Sequence, residues 1–150
     1  MRLVLQRVTS ASVKVDNNIV GGISQGFLIL IGIETDDNED DIMWLVNKCM
    51  NMRIFSDEND KMNYSIKDIK GSFLVVSQFT LHASTKKGNR PSFIKAARPE
   101  HAIPMYDQFC SILHKKSNLN VEKGIFGADM KVELINDGPV TIVIDSKIRE

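Results

Sequence analysis

The sequence predicts an α/β fold of the α+β kind: an antiparallel or mixed, barrel-like sheet with two helices flanking it. Three observations carry this expectation. Short runs of β-branched and apolar residues recur from one end of the chain to the other. Only two stretches show helical periodicity, and they stand far apart. No composition shift, linker or internal repeat divides the chain, so residues 1–150 read as one domain.

Residues 2–9 and 11–16 alternate as strands, and Asn17-Asn18 offers a tight hairpin turn into Ile19-Val20. Gly26 to Ile33 reads as a buried strand because its apolar run is nearly continuous. Ile42, Leu45, Val46 and Cys49 follow the i, i+3, i+4, i+7 rule and predict a helix over 38–51. Its acidic first turn suits the helix dipole. Residues 53–55 and 72–81 are strand-like. Tyr106, Phe109, Cys110 and Leu113 share one face of a second helix, with Pro104 expected in its first turn. Residues 131–135 and 140–145 are expected to be the last strands.

The chain has 150 residues, 43% of them hydrophobic and 25% charged, which suits a folded domain with its own core. No run is long enough to span a bilayer, and the N-terminus lacks a signal-peptide pattern, so a cytoplasmic protein with no membrane partner is expected. Cys49 and Cys110 form no C-x-x-C pair and fall on apolar helix faces, so they read as buried thiols. His82, His101 and His114 are scattered without ligand spacing, and no glycine-rich phosphate loop or nucleophile elbow is present. Neither a metal nor a cofactor is expected.

Net charge is zero, but its distribution is uneven. Between Ile69 and Pro99 there is no acidic residue, whereas Lys70, Lys86, Lys87, Arg90, Lys95 and Arg98 are basic. A solvated loop and a phosphate-binding patch both fit this pattern. Position favours the patch, with Lys86, Lys87 and Arg90 as phosphate contacts, because the basic stretch directly follows the polar strand end Ser77-Gln78-Phe79-Thr80-Leu81. Ser77 and Gln78 read as hydrogen-bonding groups, and free N–H groups around Phe79 and Thr80 suit an oxyanion hole. Thr80 as a nucleophile needs a base, and alternation along a strand would place only His82 on its face. Asn136-Asp137-Gly138-Pro139 is a turn signal before Val140-Thr141, which reads either as a hairpin connection or as backbone that meets a ligand.

Six segments, in order, carry more than any one of them: Arg53-Ile54-Phe55, Lys61-Met62-Asn63, Ser77-Gln78-Phe79-Thr80-Leu81, Lys87-Gly88-Asn89-Arg90-Pro91-Ser92-Phe93, Gly124-Ile125-Phe126-Gly127-Ala128-Asp129-Met130 and Asn136-Asp137-Gly138-Pro139-Val140-Thr141. Together with Gln6-Arg7-Val8 they make the chain resemble D-aminoacyl-tRNA deacylases of the type first described with D-tyrosyl-tRNA. The resemblance spans essentially the whole chain. It implies a homodimer with two sites at the subunit interface. Gly138-Pro139 is then cis and enters the partner's site, where backbone carbonyls hold the amino group and leave no room for an L side chain. Ser77, Gln78, Phe79 and Thr80 supply the opposite, catalytic wall. Asn136 belongs to the substrate-binding turn, and Phe126, Gly127 and Met130 belong near the terminal adenosine.

The implied reaction is hydrolysis of the ester joining a D-amino acid to tRNA, with glycyl-tRNA as a second substrate. Two chemistries remain open at this stage, attack by Thr80 and attack by water assisted by the RNA 2′-hydroxyl. The missing base beside Thr80 favours water. Two other classes compete: a non-catalytic nucleic-acid-binding module that uses the basic stretch, and a threonine-dependent peptidase or esterase.

Overall fold

The computed structural model describes residues 1–149. Its elements run β1 (Arg2–Val15), β2 (Asn18–Ile23), β3 (Gly26–Gly32), α1 (Glu39–Asn51), β4 (Phe55–Ser56), β5 (Met62–Tyr64), β6 (Ser72–Ser77), α2 (Pro99–Ser117), β7 (Val121–Lys123) and β8 (Lys131–Asp145). The main sheet has the order β2-β1-β3-β6-β7, with β8 on the other edge of β1. It is mixed: β3 and β6 run parallel, as do β6 and β7, and the remaining pairs are antiparallel. The two ends of the sheet approach each other closely enough that a Cβ on Gly21 of β2 would lie 2.8 Å from the Lys123 carbonyl of β7. The sheet is thus nearly closed as a barrel, as expected.

Alternation along the central strands divides the core in two. Phe27, Ile29, Ile31, Phe73 and Val75 join Leu3 and Leu5 against the helices. Leu28, Leu74 and Val76 point the other way, into a barrel interior shared with Val8, Val13 and Ile23. Strands buried on both faces have no polar side, which is why β3 reads as an unbroken apolar run.

Several boundaries differ from the sequence-based expectation, each for a physical reason. Residues 2–15 form one strand rather than two, because β8 pairs along its whole length while β3 and then β2 share the other edge. The hairpin turn is Asp16-Asn17, one residue early, since these two carry the positive φ values of 48° and 63°. Residues 53–55 contribute only Phe55 to a short hairpin between β4 and β5. Helix α2 starts at Pro99, so Pro104 lies inside it, exposed, with the Glu100 carbonyl deprived of its N–H donor. The expected strand 72–81 stops at Ser77, where the parallel partner β3 runs out opposite Ile31, and Phe79–His82 form a 3₁₀ turn instead.

Helix α1 starts where the sequence predicts. Asn38 accepts from the Asp40 N–H at 2.9 Å, and the Asp41 carboxylate accepts from the Asn38 N–H at 3.0 Å, closing a capping box. Ile42, Leu45, Val46 and Cys49 are fully buried beneath it. Burial pushes the Cys49 thiol up, and that of Cys110 up to about 12, so both stay protonated packing groups.

Burial alone would raise the pKa of Asp41. The Lys147 ammonium at 2.7 Å, Ser146 and the Asn38 N–H outweigh it and hold the carboxyl at about 2. A depressed carboxyl contributes stability above its unfolded pKa of about 4 and loses it as the pH falls toward 2. Asp41→Asn is therefore expected to lower Tm at neutral pH. The gap to the parent should narrow as the pH drops from about 5 toward 2, as read by thermal melts across that range.

Candidate active site

A cavity of about 250 Å³ opens at the end of β6. Its walls are Val76, Ser77, Gln78 and Phe79 on one side and Phe126 to Met130, with Val132, on the other. Of the three segments expected to face the substrate, the structure thus brings together two that lie far apart in the chain. Ser77 is the last residue of β6 and half-buried. Gln78 still donates its backbone N–H to Ile31, at 2.7 Å, before the chain leaves the sheet. Phe79, 55% exposed, packs edge-on against Phe93, with centroids 5.1 Å apart.

The 3₁₀ turn gives this wall its chemistry. The first N–H groups of such a turn have no partner inside it. No loop or cap bond engages those of Phe79 and Thr80 among the described residues. Thr80 is exposed, and its hydroxyl accepts a hydrogen bond from the Gln78 side-chain amide. His82 is not its base. Because the segment is not a strand, alternation does not apply, and the His82 side chain turns into the interior, 1% exposed, with Nδ1 3.2 Å from Glu34.

The opposite wall is built on α2 and β7. Tyr106 donates its hydroxyl to the Val75 carbonyl at 2.8 Å, and its ring meets Phe126 edge-on at 5.9 Å. Gly124 donates to the same carbonyl at 3.0 Å, and any Cβ there would sit 2.6 Å from the Met130 sulfur. A Cβ at position 124 would oblige the Met130 side chain to shift from its place under the cavity. Tyr106 was legible in the sequence as a core residue of α2, not as the support of Phe126.

The third segment lies elsewhere. Asn136 to Pro139 form no hairpin: β8 continues through them, and Gln6 faces Thr141 while Val8 faces Asn136, so a bulged turn stands off the strand. The Asn136 side chain closes this turn, accepting from the Val140 N–H and donating to the Thr141 hydroxyl, both at 2.9 Å. Gly138 has φ 124°, the Gly138–Pro139 bond is cis, and both residues are exposed. None of the four lines the cavity of its own chain.

Arg7 holds the turn. Its Nε donates to the Asp137 carbonyl at 3.1 Å and lies 3.2 Å from the Asp137 carboxylate, while another guanidinium nitrogen donates to the Ile54 carbonyl at 2.6 Å. Sequence reasoning passed over Arg7 as a functional residue. The available signal was a charged residue on the inward face of an alternation, directly after Leu3 and Leu5.

Lys86, Lys87 and Arg90 are all exposed in the loop between the 3₁₀ turn and α2. Paired backbone bonds between Ser84 and Ser92, at 2.8 and 2.9 Å, clamp its base. The Phe79–Phe93 contact then ties this basic loop to the cavity wall. Among the described residues, no group of three or more His, Cys, Asp or Glu gathers as a metal site, and no helix is long and apolar enough to cross a membrane.

Known proteins share both this architecture and its motifs. A deacylase of Flavobacterium psychrophilum, a D-aminoacyl-tRNA deacylase by name, is 61% identical over all of both chains. A solved structure of a c-Myc DNA unwinding element binding protein is 40% identical, with a TM-score of 0.91 over 97% of this chain and 98% of that one. A structure described as a "probable eukaryotic D-amino acid tRNA deacylase" shares the fold, with a TM-score of 0.82 at 18% identity over 95% and 97% of the two chains. A family model described as D-Tyr-tRNA(Tyr) deacylase matches residues 4–145, the whole span from the first inward-facing strand to the end of β8. The chain belongs to the D-Tyr-tRNA(Tyr) deacylase family.

Proposed function

We propose that this protein hydrolyses the ester of D-aminoacyl-tRNA, releasing the D-amino acid and tRNA, at a site completed by a second copy of the chain. One observation carries the two-copy reading: the cavity has two of its three expected walls, while the exposed Gly138-Pro139 turn stands outside it, rigidly held by Arg7. A partner's turn entering the cavity supplies the missing wall. Its backbone carbonyls receive the amino group, and the absence of space beside them excludes an L side chain. Glycine has no side chain to exclude, so glycyl-tRNA is a second substrate of such a site. Phe126, Gly127 and Met130 face the terminal adenosine, and Lys86, Lys87 and Arg90 contact the RNA phosphates.

An aminoacyl ester is already activated, so positioning and charge stabilisation provide most of the catalysis. The free N–H groups of Phe79 and Thr80 receive the developing oxyanion. Water, assisted by the RNA 2′-hydroxyl, attacks the carbonyl. The Thr80 hydroxyl, engaged by Gln78 and without a base, orients the ester rather than attacking it. Thr80→Ala is therefore expected to retain most of the deacylation rate. Complete loss with normal tRNA binding would restore Thr80 as nucleophile.

The decisive assay compares release from D-tyrosyl-tRNA and L-tyrosyl-tRNA at catalytic protein concentration. Release from the D form alone is expected. Binding of tRNA with turnover of neither form would instead support a nucleic-acid-binding module.

A further inference from the structure

His82 is the one buried side chain of the 3₁₀ turn, and its position invites a role that the wall itself does not supply. The ring lies against the end of β3. A Cβ on Gly32 would sit 2.9 Å from both Cδ2 and Nε2 of His82 and 3.0 Å from the Gln78 carbonyl. Gly32 therefore leaves the space that the imidazole fills. On its other side, Nδ1 stands 3.2 Å from the Glu34 carboxylate but is not aligned as a hydrogen bond, so neither ring nitrogen has a hydrogen-bond partner among the described residues.

A buried polar ring without aligned partners is unfavourable. Packing alone does not account for it, since a leucine would fill this space without stranding two nitrogens. Glu34 is itself held, its backbone N–H donating to Asp37 at 2.7 Å and its backbone bridged to Ala96. The imidazole thus sits between the Glu34 carboxylate, carried on a held backbone, and the wall of Gln78 and Thr80. Hydrogen bonds that are long or misaligned in a free enzyme can tighten when substrate is engaged.

We propose that His82 is a positioning residue for deacylation: seated on Gly32 and drawn toward Glu34, it sets the height of the Gln78–Thr80 wall against the ester in the transition state. The proposal rests on that wall being the reacting one. Because the Glu34–His82 contact aligns only as the wall closes on the ester, its loss affects turnover rather than substrate capture.

The test is steady-state deacylation of D-tyrosyl-tRNA by the full-length protein and its variants. His82→Leu is expected to lower kcat about tenfold at unchanged KM. His82→Asn, whose amide nitrogen falls near the place of Nδ1, should return kcat to within about twofold of the parent. An unchanged kcat in His82→Leu, a change confined to KM, or equal loss in both variants would overturn the proposal. Should His82→Leu fail to fold, Glu34→Ala decides the matter, because that side chain reaches the surface with 20% exposure and its removal leaves Nδ1 no acceptor there. A fall in kcat at fixed KM supports the pair, and an unchanged kcat refutes it. Gln78→Ala, measured alongside, separates the two levels of argument. If it is as active as the parent, the wall is misassigned and the proposal falls with it; if it is impaired while His82→Leu is not, only the positioning role fails.

Discussion

Alanine at Gly138 is expected to lower kcat/KM for D-aminoacyl-tRNA by on the order of 100-fold, the cost of displacing a reacting geometry by about an ångström. Gly138 holds φ 124°, a conformation that side chains rarely adopt. An added Cβ would lie 2.8 Å from Val140 Cγ2 and 2.9 Å from an Arg7 guanidinium nitrogen. Val140 is buried and Arg7 is held by its carbonyl partners, so the turn itself must move. The turn is exposed and bulges off β8, so the fold bears only the local strain of about 1–3 kcal/mol. The melt should therefore shift modestly while turnover collapses, and discrimination between D and L forms should weaken. Unchanged rates and selectivity in Gly138→Ala would refute the role assigned to the turn.

Arg7→Ala is the second large effect, and it should be felt in stability as well as activity. The side chain is 9% exposed, and two backbone carbonyls depend on it. Losing charged donors to one buried and one part-buried carbonyl costs about 3 kcal/mol. The ion pair with Asp137 adds little, because that carboxylate is 39% exposed and screened by water. Without the guanidinium, the hydrogen-bonded bridge between the turn and the Ile54 carbonyl is lost, and kcat/KM should fall at least about tenfold even under conditions where the variant is folded. Arg7→Lys keeps the charge but not the planar fork, and should recover stability only in part. Urea unfolding beside deacylation of D-tyrosyl-tRNA separates the two effects. A stability loss with unaltered kcat/KM would detach Arg7 from the site. Since Arg7 and Gly138 touch, the double variant should lose less than the sum of the two.

The two effects also mark how far the sequence could be read. Asn136 to Pro139 announce a turn by composition, and the order of six motifs identifies the family, because these are properties of neighbouring residues. Arg7 announces only that a charge interrupts an inward face. That this charge reaches across to Asp137 and Ile54 depends on the register of β1 against β8 and on where the β4 segment lies. His82 is a sharper case. Alternation would place it beside Thr80, but alternation holds only while a strand has a partner, and β6 loses its ladder once β3 has ended.

Local patterns determined the barrel-like sheet with two outer helices, the buried run of β3, the apolar face of α1 and the segments that carry the chemistry. These follow from periods of 2 and 3.6 residues and from the backbone preferences of Asn, Asp, Gly and Pro, which act within a few residues of one another. The tertiary structure alone decided that Ser77–Phe79 and Phe126–Met130 enclose one cavity, that Tyr106 and Gly124 brace it, and that Gly138 and Pro139 stand outside it. Those outcomes depend on which strands run parallel and where each ladder stops, and such long-range pairing leaves no trace in the pattern of any single segment.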